Sequence, residues 1–464
     1  MAISIVILIL ILATVLFHFL SPWWFTPLAS NWSSIDGTID ITLWVTGVVF
    51  VLVNLFLAYA VYRYRYKKDQ TADYEPENKK LETWLTIITT IGVAAMLAPG
   101  LVVWSEFVHV PEDAKEFEVV GQQWSWNYRF PGEDGVLGKT DNTYTSSQNP
   151  FGIIPSDPHG QDDVLINSNE VHLPINQPVK VLQRSKDVLH NFAIPQFRVK
   201  MDLVPGITSY FWFTPTKLGT FDVLCQELCG IAHYLMRGKV VVQTEADFNL
   251  WLSKFPTFAE SLQLPKGDVI AGKQFYQACA ACHGTDGQGN KAMNAPKLAG
   301  LSSWYSKRQL EYFKHNIRGS SAEDTYGAQM AAMTATLPDD KAIMDVSAYI
   351  QSLPIEQQIQ HSNADINKGA ILYRNCGFCH GNKGQGNYAL NAPRLAGQHD
   401  WYLKRQLLNF KNDIRGKHTD DLYGKQMVLM SRLLQNDEAI EQVIAYINQL
   451  QPIDSEQNNA VLQE

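Results

Sequence analysis

Three stretches of this sequence, residues 3–20, 41–62 and 84–104, contain no Asp, Glu, Lys or Arg. Each is long enough to cross a hydrocarbon core of about 30 Å, so the chain reads as membrane-anchored. The flanking charges give the orientation. All six basic residues among the first 106 (Arg63, Arg65, Lys67, Lys68, Lys79 and Lys80) lie in the loop 63–80, and none lies in 21–40. An excess of Lys and Arg marks cytoplasmic loops, which predicts that everything after residue 106 lies on the outer, periplasmic side of a bacterial inner membrane. Trp23, Trp24, Trp44, Trp84 and Trp104 flank the runs as an interfacial belt does. The run within 1–22 reads as an extra N-terminal membrane helix. A cleaved signal peptide is the alternative, against which stand its length and the lack of a basic leader. Glu82, at the cytoplasmic edge of the third run, is either a solvated acid or a carboxylate feeding a proton relay.

The charges also limit the partners. A net charge of −8 argues against nucleic acid, whose binding needs a basic excess. Residues 107–246 hold 11 Lys and Arg against 16 Asp and Glu, and so present an acidic face. Short apolar runs at 116–120, 170–173, 179–184, 209–213 and 239–243, separated by Gly, Pro, Asn and Asp, predict a Greek-key β-sandwich here.

The six cysteines fall into three tight pairs, which suit metals or cofactors better than long-range disulfides. In the β region Cys225, Glu227, Cys229, His233 and Met236 lie in one string, with His190 upstream. Two thiolates, two imidazoles and a thioether form a soft set that favours copper in electron transfer. Two cysteines four apart suit a bridged copper pair, with Met236 and the Glu227 carbonyl as weak ligands. A disulfide or a zinc site is the alternative for the cysteines alone.

The last 200 residues repeat without gaps at an offset of 97. Cys279-Ala-Ala-Cys282-His283 pairs with Cys376-Gly-Phe-Cys379-His380, and an Asn-Ala-Pro-Lys/Arg-Leu-Ala-Gly stretch and a Tyr-Gly-x-Gln-Met stretch follow in both copies. Cys-x-x-Cys-His reads as covalent haem c attachment, two thioethers with His283 or His380 on the iron. A thioredoxin-like pair or zinc-ribbon halves are the alternatives. Each copy offers two methionines as second axial ligand, Met330 or Met333 and Met427 or Met430.

Residues 40–246 resemble subunit II of the haem–copper cytochrome c oxidases, on the full Cys-x-Glu-x-Cys-x3-His-x2-Met string. The resemblance implies a two-helix hairpin, a cupredoxin domain with the dinuclear CuA centre, and partnership with oxidase subunits I and III. It implies that Trp124, in Gly-Gln-Gln-Trp124-Ser-Trp, passes electrons to CuA, that Glu227 also offers its side chain to Mg at the subunit I interface, and that Glu82 stands at a proton-channel mouth. The family's tryptophan after that acid is displaced to Trp84, and its proline is replaced by Thr89. Intact copper ligands point to a cytochrome donor and not a quinol. The repeats resemble the small dihaem cytochromes c, whose axial methionine precedes the leucine opening the last helix by seven residues; Leu337 and Leu434 then select Met330 and Met427.

The expected organisation is multidomain: an N-terminal transmembrane helix (1–22), a transmembrane α-hairpin (40–106), an all-β cupredoxin domain (107–246), a linker (247–265), two all-α cytochrome c domains (266–354 and 364–452) joined by a linker (355–363), and a tail (453–464). The expected function is electron input to a terminal oxidase. An external cytochrome would reduce two haems c, and CuA would relay electrons to the oxygen-reducing site of subunit I, coupled to proton translocation. A stand-alone membrane redox shuttle is the alternative. Nitrous oxide reductase, which also uses CuA, would need a large His-rich propeller that this sequence does not contain.

Overall fold

The structure is a computed structural model describing residues 2–21, 25–68, 71, 76–146, 149–263, 267–356, 364–388 and 390–450. Trp23, Trp24, most of the 355–363 linker and the 453–464 tail lie outside the described residues.

The three apolar runs form helices α1 (Ala2–Leu20), α2 (Ser33–Arg63) and α3 (Lys79–Val108). Apart from one another they expose almost all of their apolar surface. Several of their polar side chains are satisfied within the helix, as lipid demands. Thr38, Thr42 and Thr46 donate to carbonyls one turn back at 2.8, 2.8 and 2.6 Å, and the Asn54 amide donates to the Phe50 carbonyl at 2.8 Å.

Ten strands follow: β1 (Lys115–Gln122), β2 (Ser125–Phe130), β3 (Val164–Ile166), β4 (Glu170–Pro174), β5 (Val179–Ser185), β6 (His190–Ile194), β7 (Val199–Leu203), β8 (Ser209–Phe213), β9 (Gly219–Cys225) and β10 (Arg237–Gln243). They build two five-stranded sheets, ordered β3-β2-β1-β5-β8 and β4-β10-β9-β6-β7. Alternation along β5 buries Val179, Val181, Gln183 and Ser185 and turns their neighbours outward, the period-2 pattern of a sheet face. Phe117, Trp126, Tyr128, Phe192, Phe211 and Phe213 fill the space between the sheets. Each run read as β from sequence lies within a strand.

One charge cluster is buried in this domain. Arg129 donates from Nε to Glu118 at 2.8 Å and from Nη1 to Asp163 at 2.6 Å, and all three side chains are almost fully enclosed. Glu118 also holds Arg184. Burial opposes its ionisation, but the two guanidiniums hold its carboxyl below the usual range. Asp163 has one guanidinium, Arg129, and the Gly138 N–H at 3.0 Å, and burial outweighs both, lifting its carboxyl from 3.8 to about 6. Above about pH 6 the folded domain therefore carries an ionised Asp163 that burial disfavours, and this cost is relieved as the pH falls and the folded state takes up a proton that the unfolded chain leaves off. The stability of the parent relative to Asp163→Asn should accordingly rise between neutral pH and about pH 4. Urea midpoints across that range test this; a constant difference would refute it.

The sandwich is mounted firmly on its anchor. Ala29 N–H donates to the Gln196 carbonyl and Ser30 Oγ to that of Phe197, each at 2.8 Å. Trp32 is wedged against Phe107 and Trp212. Arg198 clamps Asp36 with two hydrogen bonds, at 2.6 and 2.9 Å.

Two short helices, α4 (Glu245–Leu252) and α5 (Phe258–Gln263), lie against the sandwich within the stretch expected to be a linker. The reason is their aromatic content: Phe248, Trp251 and Phe255 pack on the sandwich core, and Phe258 closes a smaller cluster with Val120, Phe151 and Ile153.

The repeats fold alike. The first comprises α6 (Val269–His283), α7 (Ser303–Lys314), α8 (Thr325–Thr334) and α9 (Asp340–Ser352); the second comprises α10 (Ile366–His380), α11 (Asp400–Lys411), α12 (Leu422–Arg432) and α13 (Asp437–Ile447). Asp268, Asp365, Asp339 and Asn436 cap the opening and closing helices through their side chains. The opening and closing helices cross at backbone contact. A Cβ on Gly272 would collide with the Asp345 carbonyl, and one on Gly369 with that of Gln442.

Candidate functional site

Cys225 ends β9, and the loop from there to β10 carries Glu227, Cys229, His233 and Met236. His190 opens the adjacent strand β6, where Phe192 stands opposite Cys225. This topology gathers the whole predicted set. The two Sγ atoms lie 3.7 Å apart, His190 Nδ1 is 4.0 Å from Cys225 Sγ, His233 Nδ1 is 3.5 Å and Met236 Sδ 3.8 Å from Cys229 Sγ, and the Glu227 carbonyl accepts from Cys225 at 3.2 Å. The Sγ separation is far beyond the ~2.05 Å of a disulfide, and both cysteines are free thiols. Ligand atoms of His190, Cys225 and Cys229 fall within 4.8 Å of one another, in buried surroundings. The hydrogen bond with the Cys229 thiol, with further help from His190, pulls the Cys225 thiol well below its usual value. The pair is therefore ready to supply a thiolate, the form that binds a metal.

Asp187 was not singled out from sequence, yet it organises this site. Its Oδ1 accepts from His190 Nε2 at 2.8 Å and from Val188 N–H at 2.7 Å; its Oδ2 accepts from Gln123 N–H at 2.7 Å. It thereby fixes the His190 ring with Nδ1 toward the sulfurs, as an outer-sphere carboxylate does. Burial disfavours a charged His190, but Asp187 and Cys225 hold its pKa above the ordinary value. The same carboxylate ties the metal-ligand side to the Gln123-Trp124 turn between β1 and β2. Trp124 Nε1 and Gln123 Nε2 both donate to the Cys229 carbonyl, at 3.0 and 2.7 Å. Gly230 makes that approach possible: its φ is +116°, and a Cβ there would stand 2.7 Å from Gln123 Nε2 and 3.0 Å from the Trp124 ring.

In the repeats, His283 and His380 close their helices and are buried. Their Nδ1 atoms donate to the carbonyls of Pro296 and Pro393, at 2.8 and 2.7 Å. Both prolines belong to the repeated Asn-Ala-Pro stretch, which so acquires a purpose. Burial lowers the pKa of both rings, leaving a neutral imidazole with Nε2 available to a metal. One cavity is lined by Cys279, His283 and Met330 of the first repeat and by Cys376, Cys379, His380 and Met427 of the second. Cys282 is half-buried and lies outside that lining. Met430 also faces the cavity, whereas Met333 is 42% exposed. Burial raises the thiols of Cys279, Cys376 and Cys379 to about 11, which suits neutral thiols awaiting covalent attachment better than a thiolate zinc site.

The interface between the repeats is a reciprocal set of arginines. Arg308 grips Asn391 and Arg405 grips Asn294; Arg318 reaches Gln309 and Gln406, and Arg415 reaches the same two glutamines. Each residue maps onto its counterpart at the 97-residue offset, as across a twofold axis. The Nε atoms of Arg308, Arg318 and Arg415 are buried without a hydrogen-bond partner, and these arginines line the cavity. Buried cations call for an anion. The two carboxylates that each haem carries supply one, so the residues present fit the group.

Glu82 lies exposed in the first turn of α3, and no other candidate residue is brought to it. Glu227 is half-buried, with exposed Leu228, Ile231 and Tyr234 around it.

Residues 116–244 match the family described as cytochrome C oxidase subunit II, periplasmic domain, and residues 269–354 and 366–451 each match cytochrome c. The alternative cytochrome c oxidase subunit 2 of Bradyrhizobium diazoefficiens is 58% identical over 259 residues, which is 56% of this chain and 94% of that one. The chain belongs to the cytochrome c oxidase subunit 2 family. The cytochrome c oxidase subunit 2 of Cereibacter sphaeroides is 29% identical over 237 residues, 49% of this chain and 77% of its own. Among solved structures, cytochrome c4 from Pseudomonas stutzeri matches with a TM-score of 0.33 and 29% identity, over 40% of this chain and 99% of that one. The periplasmic domain of subunit II of cytochrome oxidase from Bradyrhizobium japonicum matches with a TM-score of 0.24 and 28% identity, over 32% and 96%. Membership makes the chain a component of a haem–copper oxidase, an oxidoreductase acting in electron transfer. The family implies copper, and the cytochrome c domains imply haem c.

Proposed function

We propose that this subunit brings electrons into a terminal cytochrome c oxidase, from an external cytochrome through two haems c and a CuA pair to subunit I, which reduces oxygen to water and translocates protons. The observation that supports this most is the gathering of two thiols, two imidazoles, a thioether and a carbonyl around the Cys225–Cys229 pair. When bound, the haems and the copper pair supply one-electron redox chemistry at raised potential. Cys279, Cys282, Cys376 and Cys379 provide the covalent thioethers. His283 and Met330, and His380 and Met427, would hold the two irons, with the prolines orienting each histidine and the buried arginines offering charge to the haem carboxylates. The exposure of Met333 favours Met330 over it. His190, Cys225, Glu227, Cys229, His233 and Met236 hold the copper, and Trp124 is the point of electron input.

In this reading the exposed Leu228 and Tyr234 beside the copper loop (82% and 61%) meet subunit I, and the Glu227 side chain there takes a Mg ion. Glu82 opens a proton channel at the cytoplasmic face, the loop 63–80 is cytoplasmic, and the sandwich and repeats are periplasmic in a bacterial inner membrane. The bare apolar faces of α1–α3 would be covered by lipid, subunit I and subunit III.

Purification in mild detergent tests the assembly. The chain should come out with a haem–copper subunit and consume oxygen with a reduced cytochrome. A chain emerging alone and inert toward oxygen would favour the redox shuttle. Asp187→Asn tests the metal site. Losing the carboxylate that orients His190 should weaken copper binding by about 10–100-fold, read by competition with a chelator; unchanged affinity would count against the site as described.

A further inference from the structure

The two repeats are alike in sequence but not in surroundings. Leu429 and Met430, on α12 of the second repeat, pack against the sandwich cluster that contains Trp124, Cys225, Cys229 and Met236. Their counterparts at the 97-residue offset, Ala332 and Met333 on α8, are exposed. Trp124 itself lines the cavity that the two repeats share, so the contacts of Leu429 and Met430 are what tell the repeats apart. Charge agrees with this placement. The second repeat, 364–452, carries 11 Lys and Arg against 8 Asp and Glu and faces a copper domain with 11 against 16; the first repeat, 266–354, is nearly balanced at 9 against 8.

We propose that the second repeat is the inner one, docked on the copper-ligand loop through Leu429 and Met430, and that the first repeat is the outer one, which meets the external donor. This rests on the function proposed above. In the inner transfer one electron leaves the iron of the second repeat, which goes from Fe2+ to Fe3+, and enters the copper pair, one Cu2+ equivalent becoming Cu+. No bond or proton moves. The outer iron then reduces the inner one by the same one-electron exchange.

The full chain, purified with its metals, tests the order. A photo-crosslinking benzoylphenylalanine at position 429 should join peptides of the copper domain near Trp124 or within 225–236, and the same group at 332 should not. Linkage from 332 but not 429, or from both equally, would overturn the order. Leu429→Glu places a carboxylate in an apolar contact and should slow copper reduction after a flash of photoreductant by about tenfold or more, while Ala332→Glu leaves it unchanged. Haem and copper content, measured on the parent first, separates the two ideas. A parent lacking either cofactor refutes the functional reading, whereas a fully loaded parent with no contact at 429 refutes only the order.

Discussion

Cys225→Ser should give a chain that still carries covalent haem but has no copper pair. If Cys225 holds the proposed copper pair, a hydroxyl cannot take its place, because serine is a hard donor that stays protonated while copper favours soft sulfur. The substitution is nearly isosteric, and the Glu227 carbonyl that accepts from Cys225 remains to take the hydroxyl hydrogen bond, so the fold should hold. The expected signature is loss of the mixed-valence electron-paramagnetic signal and of the copper found by elemental analysis. Oxidation of the reduced haems by oxygen in the assembled oxidase should slow by at least about 100-fold, since a bridging ligand matters more than an outer-sphere partner worth 10–100-fold. Haem oxidation that stayed fast would mean that electrons bypass the copper loop altogether.

Arg129→Ala should cost the copper domain about 3–5 kcal/mol, the usual penalty for stranding a buried charge. Glu118 and Asp163 are enclosed to the same degree as Arg129, so water cannot replace the lost guanidinium. Glu118 retains Arg184, which leaves Asp163 as the stranded group. The loss should appear as a lower unfolding temperature of the copper domain in calorimetry, and as bleaching of the copper colour at lower urea. Adding Asp163→Asn should recover part of it, because the stranded carboxylate is then neutral while Glu118 keeps Arg184. An unchanged transition in the single variant would show that the cluster is more hydrated than its enclosure indicates.

What was legible in the sequence was whatever the chain writes locally. The membrane helices announce themselves through an absence of charge, the haem sites through Cys-x-x-Cys-His, and the copper loop through one short string. The choice of Met330 over Met333, implied by the resemblance to dihaem cytochromes c, stays a proposal that the 42% exposure of Met333 favours. What escaped depends on tertiary proximity. Asp187 lies three residues before His190 and could have been suspected from that spacing, but its hold on Gln123, 64 residues away, leaves no local trace. The arginine interface carries a readable signal, since Arg308, Gln309 and Arg318 recur as Arg405, Gln406 and Arg415. Residues 247–263 looked like a linker because their amphipathic pattern does not say which surface they cover.

The mounting of the sandwich on its anchor decides what moves when the subunit works. With Trp32 wedged between Phe107 and Trp212, and Asp36 held by Arg198, the copper loop stands at a set height and angle above α2 and α3. A domain so braced cannot sweep out to collect its cargo. On the function proposed above, the copper loop would then work as a fixed terminal, and the search would fall to the carrier that arrives from outside.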